Sequence, residues 1–282
     1  MTEILTAVGI LGGLGLLFGL ILAIASKVFY VKTDPRLEQL NACLPGANCG
    51  GCGYPGCGGY AQAVLDGKAK IGLCASGGNA CAEAMAQIMG VKAEKVARRV
   101  AMVKCSGYRR IDENGKEVGL RLKGDYEGLH DCLAATKAGG RGPTICKFGC
   151  LGFGNCIKAC KYDAISIVDG VARVDFDKCV GCMSCAALCP RGLIVPMELG
   201  RDVAIACSSH AKGAITIRGC TTGCVGCGVC VKVCPQGAIK VDRNLAVIDY
   251  EKCDSCGLCA TVCPKKMIFD ARLDVPEKQA VN

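Results

Sequence analysis

The chain has 282 residues, 26 of them cysteine, and a formal net charge of +9. Such a cysteine content suggests a disulfide scaffold in a short secreted chain. The length and the metal-ligand spacing here favour instead reduced, metallated thiols in a cytosolic compartment. No basic run with interleaved aromatic residues occurs, which argues against a nucleic-acid partner. Aromatic residues make up only 5% of the chain, so we expect metal clusters to supply part of the core.

The first predicted element is a membrane helix. Residues 4–25 contain no charged residue and are numerous enough to cross the hydrocarbon core of a bilayer as a helix. Lys27 and Arg36 follow this stretch, whereas Glu3 alone is charged before it, so the positive-inside rule places the cluster domains in the cytoplasm. A secretory signal is the alternative, but the basic n-region is lacking and the apolar stretch is too long. We therefore predict a single-pass anchor over residues 1–30 in the cytoplasmic (inner) membrane.

A glycine-rich cysteine motif follows the anchor. Residues 48–57 have the sequence NCGGCGYPGC, and a fourth thiol, Cys74, lies seventeen residues after Cys57. The intervening glycines allow a loop to wrap closely around a bulky cofactor. We predict that residues 31–90 form a small domain with one 4Fe-4S cluster, although four cysteines without histidine also form zinc sites. The predicted ligands are Cys49, Cys52, Cys57 and Cys74.

The second half of the chain contains an internal repeat with an interval of 74 residues. Eight cysteines of the first copy recur in the second: Cys146, Cys150, Cys156, Cys160, Cys179, Cys182, Cys185 and Cys189 correspond to Cys220, Cys224, Cys230, Cys234, Cys253, Cys256, Cys259 and Cys263. The repeat indicates one supersecondary unit present twice. We place these ferredoxin-like units at 141–200 and 201–282. In each, the segment between the cysteine runs, such as 164–175, alternates like a short hairpin.

Three cysteine runs have the C-x2-C-x2-C-x3-C-P spacing of bacterial ferredoxins, in which the fourth cysteine binds the other cluster of a pair. They are the second run (179–190), the third run (224–235) and the fourth run (253–264). Zinc prefers paired CxxC ligands that close one four-coordinate site. The spacing therefore favours 4Fe-4S clusters in these runs.

The first run (150–161) departs from this spacing. Phe153 stands where the third run has Cys227. Because phenylalanine cannot bind iron, either Cys146 supplies the missing thiolate, or this cluster is absent or has three irons. We favour Cys146, since neighbouring glycines permit a reshaped loop.

Six cysteines lie outside the N-terminal motif and the four runs when Cys146 is counted with the first run. Cys132 precedes Cys146 by fourteen residues and Cys207 precedes Cys220 by thirteen, which indicates a further repeated pair. A sixth cluster and free structural thiols are both open interpretations of the remainder. The candidate ligands are Cys105, Cys132, Cys207 and Cys220. The other two are Cys43 and Cys81, and we expect Cys81 to be a buried structural residue of an amphipathic helix.

Together these features resemble a known family. The glycine-rich membrane helix, the signature at 48–57 and the ferredoxin runs are similar to those of the B subunit of the Rnf complex. The resemblance implies a translocase that couples electron transport from reduced ferredoxin to NAD with transport of sodium ions or protons. It implies that this chain takes electrons from ferredoxin and contacts the other membrane and cytoplasmic subunits. Nicotinamide and flavin sites would lie in those subunits, which agrees with the absence of a G-x-G-x-x-G motif after a strand.

The predicted architecture is α+β. It comprises one N-terminal transmembrane helix, a small Fe-S cluster domain, a connecting region over 91–140, and two tandem ferredoxin-like units with two 4Fe-4S clusters each. We expect five clusters, or six if the remaining cysteines form a set. Catalytic acid–base residues are not expected, because cofactors carry the one-electron chemistry. The alternatives are a membrane-bound polyferredoxin that feeds another oxidoreductase, a related complex that keeps a redox sensor reduced, and, from another class, a structural zinc adaptor.

Overall fold

The computed structural model describes residues 2–28, 34–93, 97–137 and 142–270. The first element, α1 (Thr2–Val28), is one continuous helix. Its part Val8–Lys27 is long and apolar enough to cross a membrane, by length and composition, and none of it is buried against the rest of the chain. A free helix with leucines and isoleucines exposed on all sides suits lipid better than water.

Three helices form the core of the small N-terminal domain: α2 (Pro35–Ala42), α3 (Gly56–Leu65) and α4 (Gly78–Met89). Asp34 caps α2 by accepting a hydrogen bond from the Arg36 amide, and proline stands at the first turn, where no amide donor is needed. Tyr60 and Met85 are fully buried between these helices. Cys81 is buried on α4, as the amphipathic pattern predicts.

Both repeat units contain the predicted hairpin between two short helices. The first unit has α6 (Asn155–Ala159), β4 (Ile165–Val168), β5 (Val171–Val174) and α7 (Ser184–Ala187), and the second has α9 (Val229–Val233), β8 (Ile239–Asp242), β9 (Leu245–Ile248) and α10 (Leu258–Thr261). The turn residues Asp169 and Gly170 both have positive φ, as do Arg243 and Asn244. Two-residue turns of this kind match the twist of the paired strands.

Each unit is completed by a strand from outside its hairpin. In the first, β1 (Arg99–Val103) pairs antiparallel with β6 (Ile194–Glu198). In the second, β7 (Val203–Ile205) pairs with β10 (Ile268–Asp270). Val103 pairs with Ile194, and Ile205 pairs with Ile268. Because Ile194 and Ile268 lie one repeat interval of 74 residues apart, β1 and β7 occupy equivalent places in the two units. The region 97–103 is therefore integrated into the first unit.

The remaining elements lie between these strands and the cysteine runs. They are a small hairpin of β2 (Arg110–Ile111) and β3 (Glu117–Val118), and the helices α5 (Cys132–Lys137) and α8 (Gly213–Gly219). Isolated bridges join Leu120 to Cys220 and Leu122 to Thr144. Residues 120–122 thus lie across the junction of the two units.

Candidate metal centres

The four thiols predicted for the N-terminal domain line one cavity. They are Cys49, Cys52, Cys57 and Cys74, the N-terminal set. Asn48 fixes the loop, because its side-chain oxygen accepts the Cys57 amide at 2.8 Å. Tyr60 fixes the segment that precedes Cys74. Its hydroxyl donates to the Lys70 carbonyl at 2.9 Å and accepts a hydrogen bond from the Leu73 amide at 3.2 Å. A hydrogen bond with Cys81 lowers the pKa of the Cys74 thiol.

The N-terminal cavity lies directly against the second run. Cys182 contributes to its lining, and Lys161 donates to the Ala47 carbonyl at 2.9 Å. Tyr162 lies between the two regions, and burial raises the pKa of its hydroxyl. Contacts of both loops therefore hold the small domain on the first ferredoxin-like unit.

The first-run cavity has a complete set of four thiols despite Phe153. Its thiols, the first-run set, are Cys132, Cys150, Cys156 and Cys189. Cys189 comes from the second run, as the ferredoxin pattern requires. The sequence pattern predicts Cys146 as the fourth ligand of this site. The fourth thiol that lines the cavity is instead Cys132, the first residue of α5.

Hydrogen bonds and ring stacking hold Cys132 at this cavity. Asn155 accepts the Cys132 amide at 2.9 Å and donates to Asp131 at 2.7 Å. Phe153 stacks on His130 with ring centroids 5.0 Å apart, and Tyr126 stacks on Phe153 at 5.3 Å. The residue that replaces a thiol thus anchors the segment that brings another thiol in.

The third-run cavity is the regular counterpart. Its four thiols, the third-run set, are Cys224, Cys227, Cys230 and Cys263. Cys227 is exposed and occupies the repeat position of Phe153. The second-run set is Cys160, Cys179, Cys182 and Cys185, and all but Cys182 belong to the core of the first unit or pack against it. The fourth-run set is Cys234, Cys253, Cys256 and Cys259, and all but the exposed Cys256 belong to the core of the second unit or pack against it.

A further set of thiols, the central set, lies where the units meet. It contains Cys105, Cys146, Cys207 and Cys220, of which all but Cys146 are buried. Cys105 and Cys220 belong to one buried cluster with Cys146 packed against it. Proximity to Cys146 is among the causes that raise the pKa of Cys207, after burial.

The central set has an internal two-fold correspondence. Cys105 lies two residues after β1 and accepts the Cys150 amide at 3.4 Å. Cys207 lies two residues after β7 and accepts the Cys224 amide at 3.4 Å. Cys146 and Cys220 correspond through the 74-residue interval. Spacing along the chain pairs Cys132 with Cys207, whereas the strand register shows that Cys105 is the residue equivalent to Cys207.

Burial changes the protonation of several thiols in these sets. It raises the pKa of Cys105 and Cys156 to about 12, and that of Cys185 and Cys259 to about 11. Thiols with such pKa values are protonated at neutral pH when no metal is bound. Binding of a metal cluster as thiolates would therefore release protons.

Backbone amides point at several of the sulfurs. The sulfur of the last cysteine in three runs accepts the amide four residues later: Cys160 from Ala164 at 3.4 Å, Cys189 from Leu193 at 3.4 Å and Cys234 from Ala238 at 3.3 Å. Such N–H···S hydrogen bonds stabilise negative charge on a metal-bound thiolate. Within the described ranges, no three Cys, His, Asp or Glu side chains converge closely enough to hold a single metal ion.

Comparison with known families agrees with this geometry. Residues 44–76 match the family described as "Putative Fe-S cluster", and residues 178–239 and 223–267 match two families described as 4Fe-4S dicluster domains. The chain therefore contains an Fe-S cluster domain and 4Fe-4S ferredoxin-like domains. The first run, with Phe153, lies outside these matches.

Curated relatives extend over nearly the whole chain. The B subunit of the Na+-translocating ferredoxin:NAD+ oxidoreductase complex of Acetobacterium woodii is 45% identical over 90% of this chain and 74% of its own length. The chain belongs to the family of B subunits of ion-translocating oxidoreductase complexes. Two further relatives are the B subunits of the proton-translocating complex of Clostridium ljungdahlii, 40% identical over 85% of this chain and 82% of its own length, and of the ion-translocating complex of Methanosarcina acetivorans, 37% identical over 89% and 92%. Membership in this family confirms the resemblance to the Rnf B subunit.

Proposed function

We propose that this chain carries electrons from reduced ferredoxin into a membrane complex that couples ferredoxin:NAD oxidoreduction to sodium-ion or proton transport. The names of the relatives support the reaction class. The observation that supports this role is that three cavities are each lined by the four thiols of one set, with further thiols packed between the cavities. We infer a row of six such sets, which suits electron transport through the chain rather than catalysis at one site.

The residues present fit 4Fe-4S clusters. Each set supplies four thiolates, the ligand number of a cubane, and the three sets described by cavities surround a space instead of a point. A single zinc ion would need all four sulfurs at about 2.3 Å from one centre. When bound, such clusters accept and release single electrons, while the protein supplies position, burial and N–H···S hydrogen bonds.

We assign the first-run cluster to Cys132 rather than Cys146, and a sixth cluster to the central set. The assignment of Cys132 rests on its place in the cavity lining and on its hydrogen bond to Asn155. The assignment of the central set rests on the matched bonds of Cys105 and Cys207 to the neighbouring runs. With these ligands the proposal has six clusters, the larger of the two numbers that the sequence allows.

The outer half of the row leads from the membrane-proximal domain into the first unit. Cys182 of the second-run set borders the N-terminal cavity. Cys185 of the same set lies close enough to Cys156 of the first-run set to raise the pKa of that thiol, after burial and nearer thiolates. The N-terminal, second-run and first-run sets are therefore consecutive neighbours.

The other half passes through the central set into the second unit. Cys105 contacts the first-run set through the Cys150 amide, and Cys207 contacts the third-run set through the Cys224 amide. Cys259 of the fourth-run set lies near Cys230, which adds to the effect of burial on the Cys259 pKa. The central set thereby connects the two ferredoxin-like units.

Helix α1 anchors this row to the cytoplasmic membrane. Its length and composition, together with membership in the family, support membrane association. Lys27 in its last turn and Arg36 beyond it support a cytoplasmic position of the cluster domains by the positive-inside rule. Soluble ferredoxin would then reach the second unit, while the other proteins of the complex contact the anchor and the small domain.

Anaerobic purification tests this function. The protein should contain about 24 irons per chain, at four per cubane, and should show a broad visible absorbance that bleaches on reduction. Reduced ferredoxin should bleach it, whereas NADH alone should not, because the nicotinamide site is expected in another protein of the complex. A colourless protein with stoichiometric zinc would refute the proposal and favour a structural adaptor. Copurification of a different oxidoreductase from native membranes would favour the polyferredoxin alternative.

A further inference from the structure

A basic side chain occupies the same place at two of the cavities. Arg191 and Lys265 lie 74 residues apart, each the second residue after the last cysteine of its run. Arg191 lines the first-run cavity and Lys265 lines the third-run cavity. Both cavities flank the central set. The repeat thus places one basic residue at each of the two sites next to the junction of the units.

Arg191 is held by groups of the central region. Its guanidinium donates to the Thr144 hydroxyl at 3.0 Å, to the Cys146 carbonyl at 3.1 Å and to the Gly149 carbonyl. Arginine has so high an intrinsic pKa that it stays charged in this surrounding. A fixed positive charge therefore lies between the first-run set and the central set.

A positive charge beside a metal cluster increases the electron affinity of that cluster. Reduction of a metal cluster adds one negative charge, so a nearby positive charge stabilises the reduced form. Bulk salt screens a partly buried charge less than an exposed one. The net charge around a cluster is among the factors that set its reduction potential.

We propose that Arg191 and Lys265 each raise the reduction potential of the site they line, and that Arg191 also raises that of the central set. This inference rests on the proposed function, since it requires clusters at these thiols. Arg191 has the larger effect, because its guanidinium is fixed by three acceptors. The ammonium group of Lys265 is strongly hydrated and lies on a flexible stem.

Redox titration followed by low-temperature electron paramagnetic resonance tests the proposal on the full chain. Arg191→Gln should lower the equilibrium constant for reduction at least tenfold at the first-run site and at the central set. A tenfold change corresponds to a shift in reduction potential of about 59 mV for a one-electron couple. Lys265→Gln should lower the equilibrium constant less and at one site. Arg191→Lys keeps the charge and should show less than half of the Arg191→Gln shift. Lys240→Gln, on the exposed side of β8, is the control and should cause no shift.

Iron content separates this inference from the proposed function. Wild-type protein without iron would refute the function, whereas iron-loaded Arg191→Gln with unchanged potentials would refute only the role of the charge. Equal shifts in Arg191→Lys and Arg191→Gln would also refute it, because the hydrogen bonds and not the charge would then be responsible. If Arg191→Gln does not bind iron, Lys265→Gln decides: a lowered potential supports the proposal and an unchanged one overturns it.

Discussion

Gly51 lies against the backbone of Cys182, so that a Cβ on Gly51 would lie 2.5 Å from the Cys182 carbonyl oxygen. No side chain fits in that space without movement of one backbone relative to the other. The loop of the N-terminal set therefore packs backbone to backbone against the second run. This contact sets the separation of two neighbouring sites.

Gly51→Val should separate the small domain from the first unit. We expect iron content to remain near that of the wild type, because Gly51 is not a ligand, while the magnetic interaction between the N-terminal and second-run clusters weakens. Low-temperature electron paramagnetic resonance of the reduced protein measures this interaction. The matched control is Gly58→Ala on α3, where the nearest atom to the added Cβ lies at an ordinary 3.8 Å. An unchanged interaction in Gly51→Val would contradict the predicted role of the contact.

Alanine substitutions of Cys146, Cys220 and Cys132 distinguish the two ligand assignments. With Cys146 and Cys220 in one site, each single variant should lose about four irons, and the double variant should lose no more than either. Cys132→Ala should remove a different site, so its loss should add to that of Cys146→Ala. Anaerobic iron assay gives all of these values. A smaller loss from Cys220→Ala than from Cys146→Ala would return Cys146 to the first run.

Phe153→Cys offers a rescue of the first-run site. The third-run set shows that a cysteine at this repeat position lines the cavity. We expect the double variant Cys132→Ala with Phe153→Cys to regain the irons that Cys132→Ala loses. Phe153→Ser in the same background is the control, since serine binds iron poorly and removes the same aromatic ring. Equal iron contents in these two double variants would argue against a vacant ligand position at 153.

Tyr60→Phe should destabilise the small domain. The phenol is buried and bonds to two backbone groups, and its removal leaves the Leu73 amide without its acceptor. The expected loss in unfolding free energy is about 1–3 kcal/mol. Tyr54→Phe is the control and should cost less, because the Tyr54 hydroxyl reaches the Lys68 carbonyl only at 3.4 Å and is more exposed. Thermal denaturation of the iron-loaded variants compares them, and similar melting temperatures would contradict the prediction.

Deletion of residues 1–30 should release the protein from membranes without loss of colour. None of the described part of α1 in the span Val8–Lys27 is buried against the cluster domains, so its removal leaves their cores intact. Fractionation and visible absorbance of the truncated protein measure the result. A truncated protein that still sediments with membranes would indicate a second point of attachment.

The elements that could be predicted from the sequence are those whose determinants are local. Ligand spacing identifies the runs, the uncharged stretch identifies α1, and alternation identifies the hairpin of β4 and β5. Similar distances before a repeated cysteine made Cys132 look like the counterpart of Cys207. The equivalence of Cys105 with Cys207 depends on the pairing of β1 with β6, a contact between residues almost a hundred positions apart. Spacing along the chain carries no information about that register.

The positions of the ligand cysteines along the chain determine the order in which the sites can be completed during synthesis. On the assigned ligands, the N-terminal set is complete once Cys74 has left the ribosome, and both sets of the first unit are complete by Cys189. The central set requires Cys220 and therefore waits for the start of the second unit. A nascent chain can thus be metallated from its anchored end outward, with the joint between the two repeats closed only after the first repeat has matured.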